Sequence, residues 1–247
     1  MGYMILYSTM ILLIPPFLLA LWAQRRVKST YAEYSEVGAA SGLTGAQVAQ
    51  YILEDAGVGE AGHVLEGSEM AADGQGCSIE CVAGNLTDHY DPRSRTLRLS
   101  EDVYHGQSIA ALGVAAHEVG HAIQHAHGYG PLALRSYLYP VSSLGSSLAF
   151  PIFFVGLFIG PGLGKIAMIV AILMFGLAVL FTLVTLPVEF DASRRALVSL
   201  ERGNYLSAQE VVGARKVLSA AALTYVAAAA MALTQLVRMI LIFRSRH

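Results

Sequence analysis

Charge and cysteine are both scarce in this chain, and each shortage narrows what it can be. Asp, Glu, Lys and Arg make up only 14% of its 247 residues, against about 25% in an ordinary soluble domain. Hydrophobic residues reach 55% and the mean hydropathy is +0.53, a balance that favours a membrane protein. The formal net charge of −2 leaves no excess of either sign. No basic block of the kind that grips phosphates is present, which argues against a nucleic-acid partner. Cys77 and Cys81 are the two cysteines, too few for a disulfide framework. Such a C-x3-C pair could form half a metal site, but no second pair completes it, so two reduced, partly packed thiols are expected. Internal repeats and low-complexity tracts are missing, apart from an alanine-rich last apolar run.

Long apolar runs are what the chain has instead. Residues 4–23 carry no charge and suit one bilayer crossing. No positive charge precedes this run and no small-x-small site follows it, so it reads as an anchor, kinked at Pro15 and Pro16, rather than a cleaved signal peptide. Arg25, Arg26 and Lys28 come next, and the positive-inside rule keeps that flank cytoplasmic. Residues 143–186 form a second apolar block, broken into two spans by Pro161-Gly162-Leu163-Gly164-Lys165. A last span covers 217–243, with Arg238 near its end, where it can snorkel to the interface. The expected protein is therefore mainly α, with about four membrane helices and a small α+β domain.

The polar stretches fall at 29–139 and 187–216. Arg194, Arg195, Arg202, Arg215 and Lys216 share the compartment of Arg25 and Arg26, so the cytoplasmic assignment of a multi-pass cell-membrane protein is self-consistent. The basic tail after Phe243 dissents. Within 29–139, Thr44 precedes a helix with Val48, Ile52 and Leu53 on one face and Gly57 as its stop. From residue 63 to 100, short alternations (His63-Val64-Leu65, Ser78-Ile79, Thr96-Leu97-Arg98-Leu99) are punctuated by Gly, Asn and Asp-Pro, which suggests short strands and turns. Ser100 is a fitting N-cap, with Glu101 and Asp102 in the turn that follows.

The chemistry is carried by AAHEVGHAIQHAHGY. Residues four apart share a helix face, so His117 and His121 can direct their imidazoles at one ion. Glu118 stands beside them, close enough to take a proton from an attacking water. Ile109, Ala110, Ala111, Leu112, Val114, Ala115 and Ala116, and then Ala122 and Ile123, are helix formers, and no proline falls between 107 and 124. A five-residue match can arise by chance; its setting carries the argument. Three groups that are costly to bury sit in an apolar, small-residue helix, and a metal explains them. The bland alternative is a surface helix with two solvated histidines and an ion-paired glutamate.

A catalytic zinc site needs a third protein ligand. Glu189 is best placed: it follows a membrane span, is expected to open a helix after Pro187, and lies two spans from His121, hence on the same side of the bilayer. A plain interfacial carboxylate at a helix N-terminus is its alternative. Asp191 is the rival ligand. The two point about 200° apart around a helix, so both cannot bind one ion directly.

HEVGH, preceded by LTDHYDPRSRTLRLSEDVY and followed by membrane spans and VEFDASRRA, resembles the YugP-type neutral zinc metallopeptidases of bacteria over nearly the whole chain. More distantly it is similar to HtpX-type and CAAX-prenyl membrane proteases, gluzincins in which a glutamate on a later helix is the third zinc ligand. The resemblance implies a zincin-like metalloprotease part, Zn2+ as cofactor and Glu189 as ligand. In the distant relatives an aspartate four positions after that glutamate orients a zinc histidine; here Ser193 holds the place and the aspartate is Asp191.

The expected reaction is peptide-bond hydrolysis by zinc-activated water, with Glu118 as general base and a polypeptide, such as a membrane protein, as substrate. His89, Tyr90, Arg194 and Tyr205 are conceivable oxyanion donors. The TDHYDPRSRTLRLS segment is expected to form a turn and a strand, either an edge on which an extended substrate pairs or a plain cover strand. Asp88, His89 and Asp91 could hold a structural ion, although Asp91-Pro92 reads more simply as a turn. His125 continues the helical face, yet one ion cannot be reached from two turns away, so His125 and His127 are expected to be solvated or supporting. His63, His105 and His247 have no partner pattern. Two rival readings stand beside this one: a site-2-type intramembrane protease, and a non-catalytic membrane scaffold or assembly factor with a vestigial motif.

Overall fold

Local signals set most element ends. In the computed structural model, which describes residues 8–59, 76–85 and 87–246, a 3-10 segment (Thr9–Leu13) leads into α1 (Ile14–Ser35). Then come α2 (Gly45–Asp55), β1 (Ser78–Val82), β2 (His89–Asp91), β3 (Thr96–Ser100), α3 (Glu101–Tyr104) and α4 (Ile109–Ala126). The chain continues with α5 (Gly130–Phe158), α6 (Pro161–Arg202) and α7 (Ala208–Arg246). The His63-Val64-Leu65 alternation, His247 and the first residues of the expected anchor lie outside the described residues.

Four of the described helices are long and apolar enough to cross a membrane: Thr9–Ser35, Gly130–Phe158, Gly162–Arg202 and Ala208–Arg246. With one small three-stranded sheet among the described residues, this is a mainly α membrane protein carrying a small α+β part.

The helices overrun the boundaries expected for them. α5 begins well before residue 143 and contains Pro140 and Pro151. α6 passes through Pro187, so Glu189 does not open a new helix but stands late in a long one. A proline removes one backbone hydrogen bond yet does not end a helix whose flanks are strong helix formers. The segment expected to be one helix over 187–216 breaks instead at Gly203–Ser207. Ser207 and Glu210 form a capping box there, with Ser207 N–H donating to Glu210 Oε2 at 2.7 Å and Glu210 N–H donating to Ser207 Oγ at 3.4 Å. Those bonds start α7 at Ala208.

The chain divides into two compact units. One comprises the residues up to Gln24, Ala133–Pro187, and those from Leu223 onward. Ala149, Phe153, Met168, Phe175, Val179, Met239 and Ile242 build its core. Arg238, which was expected to reach the interface, is 6% exposed, and among the described residues its Nε has no hydrogen-bond partner. A buried N–H left without an acceptor opposes folding. Arg238→Met keeps the stem volume and removes the charge, so the detergent-solubilised protein is expected to melt a few degrees higher, by about 2–4 °C per kcal/mol recovered, as read by thermal unfolding.

The other unit comprises Arg25–Leu132 and Val188–Ala222. A T-x-x-Q capping box starts α2: Gln47 N–H donates to Thr44 Oγ1 at 3.2 Å and Thr44 N–H to Gln47 Oε1 at 2.9 Å. Its buried face, Val48, Ile52 and Leu53, joins Leu97 and Leu99 of β3, Leu112 and Val119 of α4, and Leu200 and Leu218 in one core. In the sheet β3 is central, parallel to β1 and antiparallel to β2. β2 is therefore an edge strand. Asp91 pins the β2–β3 turn by accepting from Arg93 N–H at 2.9 Å. That bond and the Arg98 guanidinium hold its carboxyl down at about 2. Asp88 accepts from the backbone N–H and hydroxyl of Ser100, so Ser100 precedes α3 without capping it by its side chain. Neither cysteine is in a disulfide, and Cys77 is buried while Cys81 is exposed.

Candidate metal centre

α4 is set by signals at both ends. Ser108 caps its start, accepting from Ala111 N–H at 3.2 Å. At the other end Tyr129 N–H donates to Gln124 O at 2.9 Å and Gly128 N–H to His125 O at 3.1 Å. This double closure requires a left-handed residue, supplied by Gly128 at φ 61°. Between the caps the helix is almost wholly buried, Glu118 and His121 included. It is not among the four described helices fit to cross a membrane, unlike the HExxH helix of a site-2-type protease.

Gly120 explains how α4 approaches α6. A Cβ at this position would meet Ala192 O at 2.5 Å and Ala192 Cα at 3.1 Å, so only glycine permits the contact. Gly120→Ala must push the two helices apart, at about 1–3 kcal/mol of overpacking. The variant is expected to lose both thermal stability and zinc affinity, measured by melting and by chelator competition.

That contact brings Glu189 to the paired histidines. Glu189 Oε2 lies 3.3 Å from His117 Nε2 and 3.6 Å from His121 Nε2. One ligand atom from each of the three residues lies within 4.8 Å of the others. Donors about 2.0–2.1 Å from a tetrahedral zinc stand roughly 3.3–3.4 Å from one another, so the donor set and its spacing fit that ion. Glu189 is 2% exposed and His121 8%. Burial pushes the His121 imidazole down, but the Glu189 carboxylate and the charge of Glu118 lift it above its ordinary value. The carboxylates of Glu189 and Glu118 beside the two imidazoles favour a cation at this buried cluster.

Glu118 does not belong to the three-residue cluster. Its Oε2 accepts from Tyr90 N–H of the edge strand β2 at 3.0 Å, which fixes the carboxylate. The Tyr90 hydroxyl meets His125 Nδ1 at 2.8 Å, so His125 is a partner of β2. Among the other residues considered as oxyanion donors, Arg194 is engaged by Asp191, Tyr205 stacks on Tyr51, and His89 is exposed with Nδ1 2.8 Å from Thr87 O.

Asp191, the rival ligand, faces elsewhere. Its carboxylate accepts from Arg194, Arg195 and Gln124 Nε2. Ser193 Oγ stands 3.2 Å from His117 Nδ1, and Gln124 Oε1 stands 3.0 Å from His121 Nδ1. The supporting roles of Gln124, Arg195 and the Tyr90 N–H were missed in the sequence. A signal for Gln124 did exist: an uncharged amide three residues after His121, in an apolar helix, has to find polar partners.

Comparison with known proteins agrees in kind. The model of a family described as "Putative neutral zinc metallopeptidase" matches residues 9–244. The chain is 46% identical over 226 residues to a protein of Bacillus subtilis (strain 168) named "Putative membrane protease YugP", an overlap of 91% of this chain and 92% of that one. No solved structure matches.

Proposed function

We propose, from the premise that the chain belongs to the neutral zinc metallopeptidase family, that it is a membrane-embedded endopeptidase of gluzincin type. The observation that carries this reading is the convergence of His117, His121 and Glu189 on one point. These three residues would hold Zn2+, leaving one position open to the reaction. Zinc, when bound, supplies Lewis acidity, lowering the pKa of water and polarising a carbonyl.

The chain's own groups do the rest. Glu118 takes the proton of the attacking water as the new C–O bond forms, then gives it to the amine nitrogen as the C–N bond breaks. The Tyr90 N–H occupies Oε2 of Glu118, which leaves Oε1 for that proton. β2 is an edge strand whose backbone touches the general base, a fit for an extended polypeptide lying alongside it. The substrate is a polypeptide, a membrane protein being the natural class for an enzyme held at the bilayer. The distribution of Arg and Lys supports a multi-pass cell-membrane protein with a cytoplasmic active site.

The test uses the full chain purified in detergent. Close to one zinc per chain is expected, together with hydrolysis of an unfolded protein such as casein that a chelator abolishes and added zinc restores. A chain with no stoichiometric zinc is the scaffold, and the reading fails.

A further inference from the structure

Gln124 is completely buried, and every polar atom of its amide is engaged. Its Nε2 donates to Val188 O at 2.8 Å and to Asp191 Oδ2 at 2.9 Å. A carbonyl and a carboxylate can only accept, so the orientation of the amide is dictated, and Oε1 is the atom 3.0 Å from His121 Nδ1. Facing an acceptor, Nδ1 must carry the hydrogen. In the neutral ring the lone pair then sits on Nε2, the atom turned toward Glu189. Of the two neutral tautomers, this is the one that can bind a metal from that position.

The amide is held in turn from α6. Asp191 is gripped by Arg194 and Arg195, and the Arg195 guanidinium lies over the Tyr129 ring, 5.9 Å from its centroid. The chain Arg195–Asp191–Gln124–His121 thus ties one ligand on α4 to the helix that carries another, Glu189. A metal-binding histidine usually gives its second N–H to a carboxylate, a carbonyl or water. Here a neutral amide stands between ring and carboxylate, and the aspartate's charge is met by two arginines rather than passed to the imidazole.

Resting on the metallopeptidase reading, we propose that Gln124 is the positioning residue of His121: it selects the Nδ1–H tautomer and, through Asp191 and its arginines, fixes the ring for metal. This accounts for Asp191, which the spacing offered as a ligand, as the anchor of the layer behind the ligands.

Two measurements test it. In metal-free wild type carrying 15N-labelled histidine, NMR at a pH high enough to leave the ring neutral is expected to show His121 as the Nδ1–H tautomer; the neutral Nε2–H tautomer overturns the proposal without any variant. Gln124→Met keeps the length and loses both kinds of hydrogen bond. Its zinc affinity, read by chelator competition, is expected to fall about 10–100-fold, with the His121 tautomer signal divided between two forms. Lower thermal stability with unchanged affinity and tautomer overturns the proposal, since a merely structural amide predicts that result. Wild type that binds no zinc overturns the metallopeptidase reading and this inference with it, whereas a zinc-binding wild type beside an unaffected variant overturns the inference alone.

Discussion

Glu118→Gln is expected to abolish peptide hydrolysis while leaving zinc in place. The loss should be about 10²–10⁴-fold in turnover, the range general acid–base groups supply. The two halves of this expectation come from different atoms. The cluster that would hold the ion consists of His117, His121 and Glu189, so zinc per chain should match wild type. Oε2 of Glu118 accepts from Tyr90 N–H, and the amide oxygen of glutamine can take the same bond, so the helix and strand stay where they are. What disappears is a group able to accept and return a proton. Proteolysis of casein and metal content, measured on the same preparation, check both halves. Full activity in the variant would remove Glu118 from the reaction; loss of zinc along with activity would move it into the ligand set.

The architecture was legible because its signals are local. Apolar runs long enough for a bilayer, Thr44 before α2 and a proline-free stretch rich in helix formers around HEVGH each act through the sequence nearby. The boundary at Pro187 was misread for the same reason: a proline is a strong local signal, and in α6 it is overruled by a helix that continues on both sides. The break at Gly203–Ser207 was passed over, although Ser207 and Glu210 form a capping box as local as the one before α2.

At the site, ligand spacing could be read and the supporting layer could not. His117 and His121 are four positions apart, and the closeness this gives them is a property of any helix. Gln124 meets Asp191 across 67 positions of sequence, a contact that exists only once α4 and α6 have packed. Gly120 belongs to both descriptions. It is an unspecified residue of the motif, and its hydrogen in place of a Cβ sets how near Ala192, and hence Glu189, can come.

The second large effect separates Glu189 from Asp191. Structural zinc sites bind with about 10–16 kcal/mol shared among four ligands, so one protein ligand is worth about 2.5–4 kcal/mol. Glu189→Gln retains the shape but replaces a charged oxygen by a weak donor, and zinc affinity is expected to fall by about 10²–10³-fold. Activity should fall with it, and excess zinc should restore part of what is lost, because His117 and His121 remain. Asp191→Asn is the control. Its oxygen can still accept from Gln124 Nε2, while the arginine contacts weaken, so zinc affinity should fall by about tenfold, the low end of what a supporting group contributes. Chelator competition on the two variants side by side decides the matter. If Asp191→Asn lost zinc and Glu189→Gln kept it, the ligand would be the aspartate, and α6 would have to rotate by about half a turn from the orientation that puts Glu189 Oε2 3.3 Å from His117.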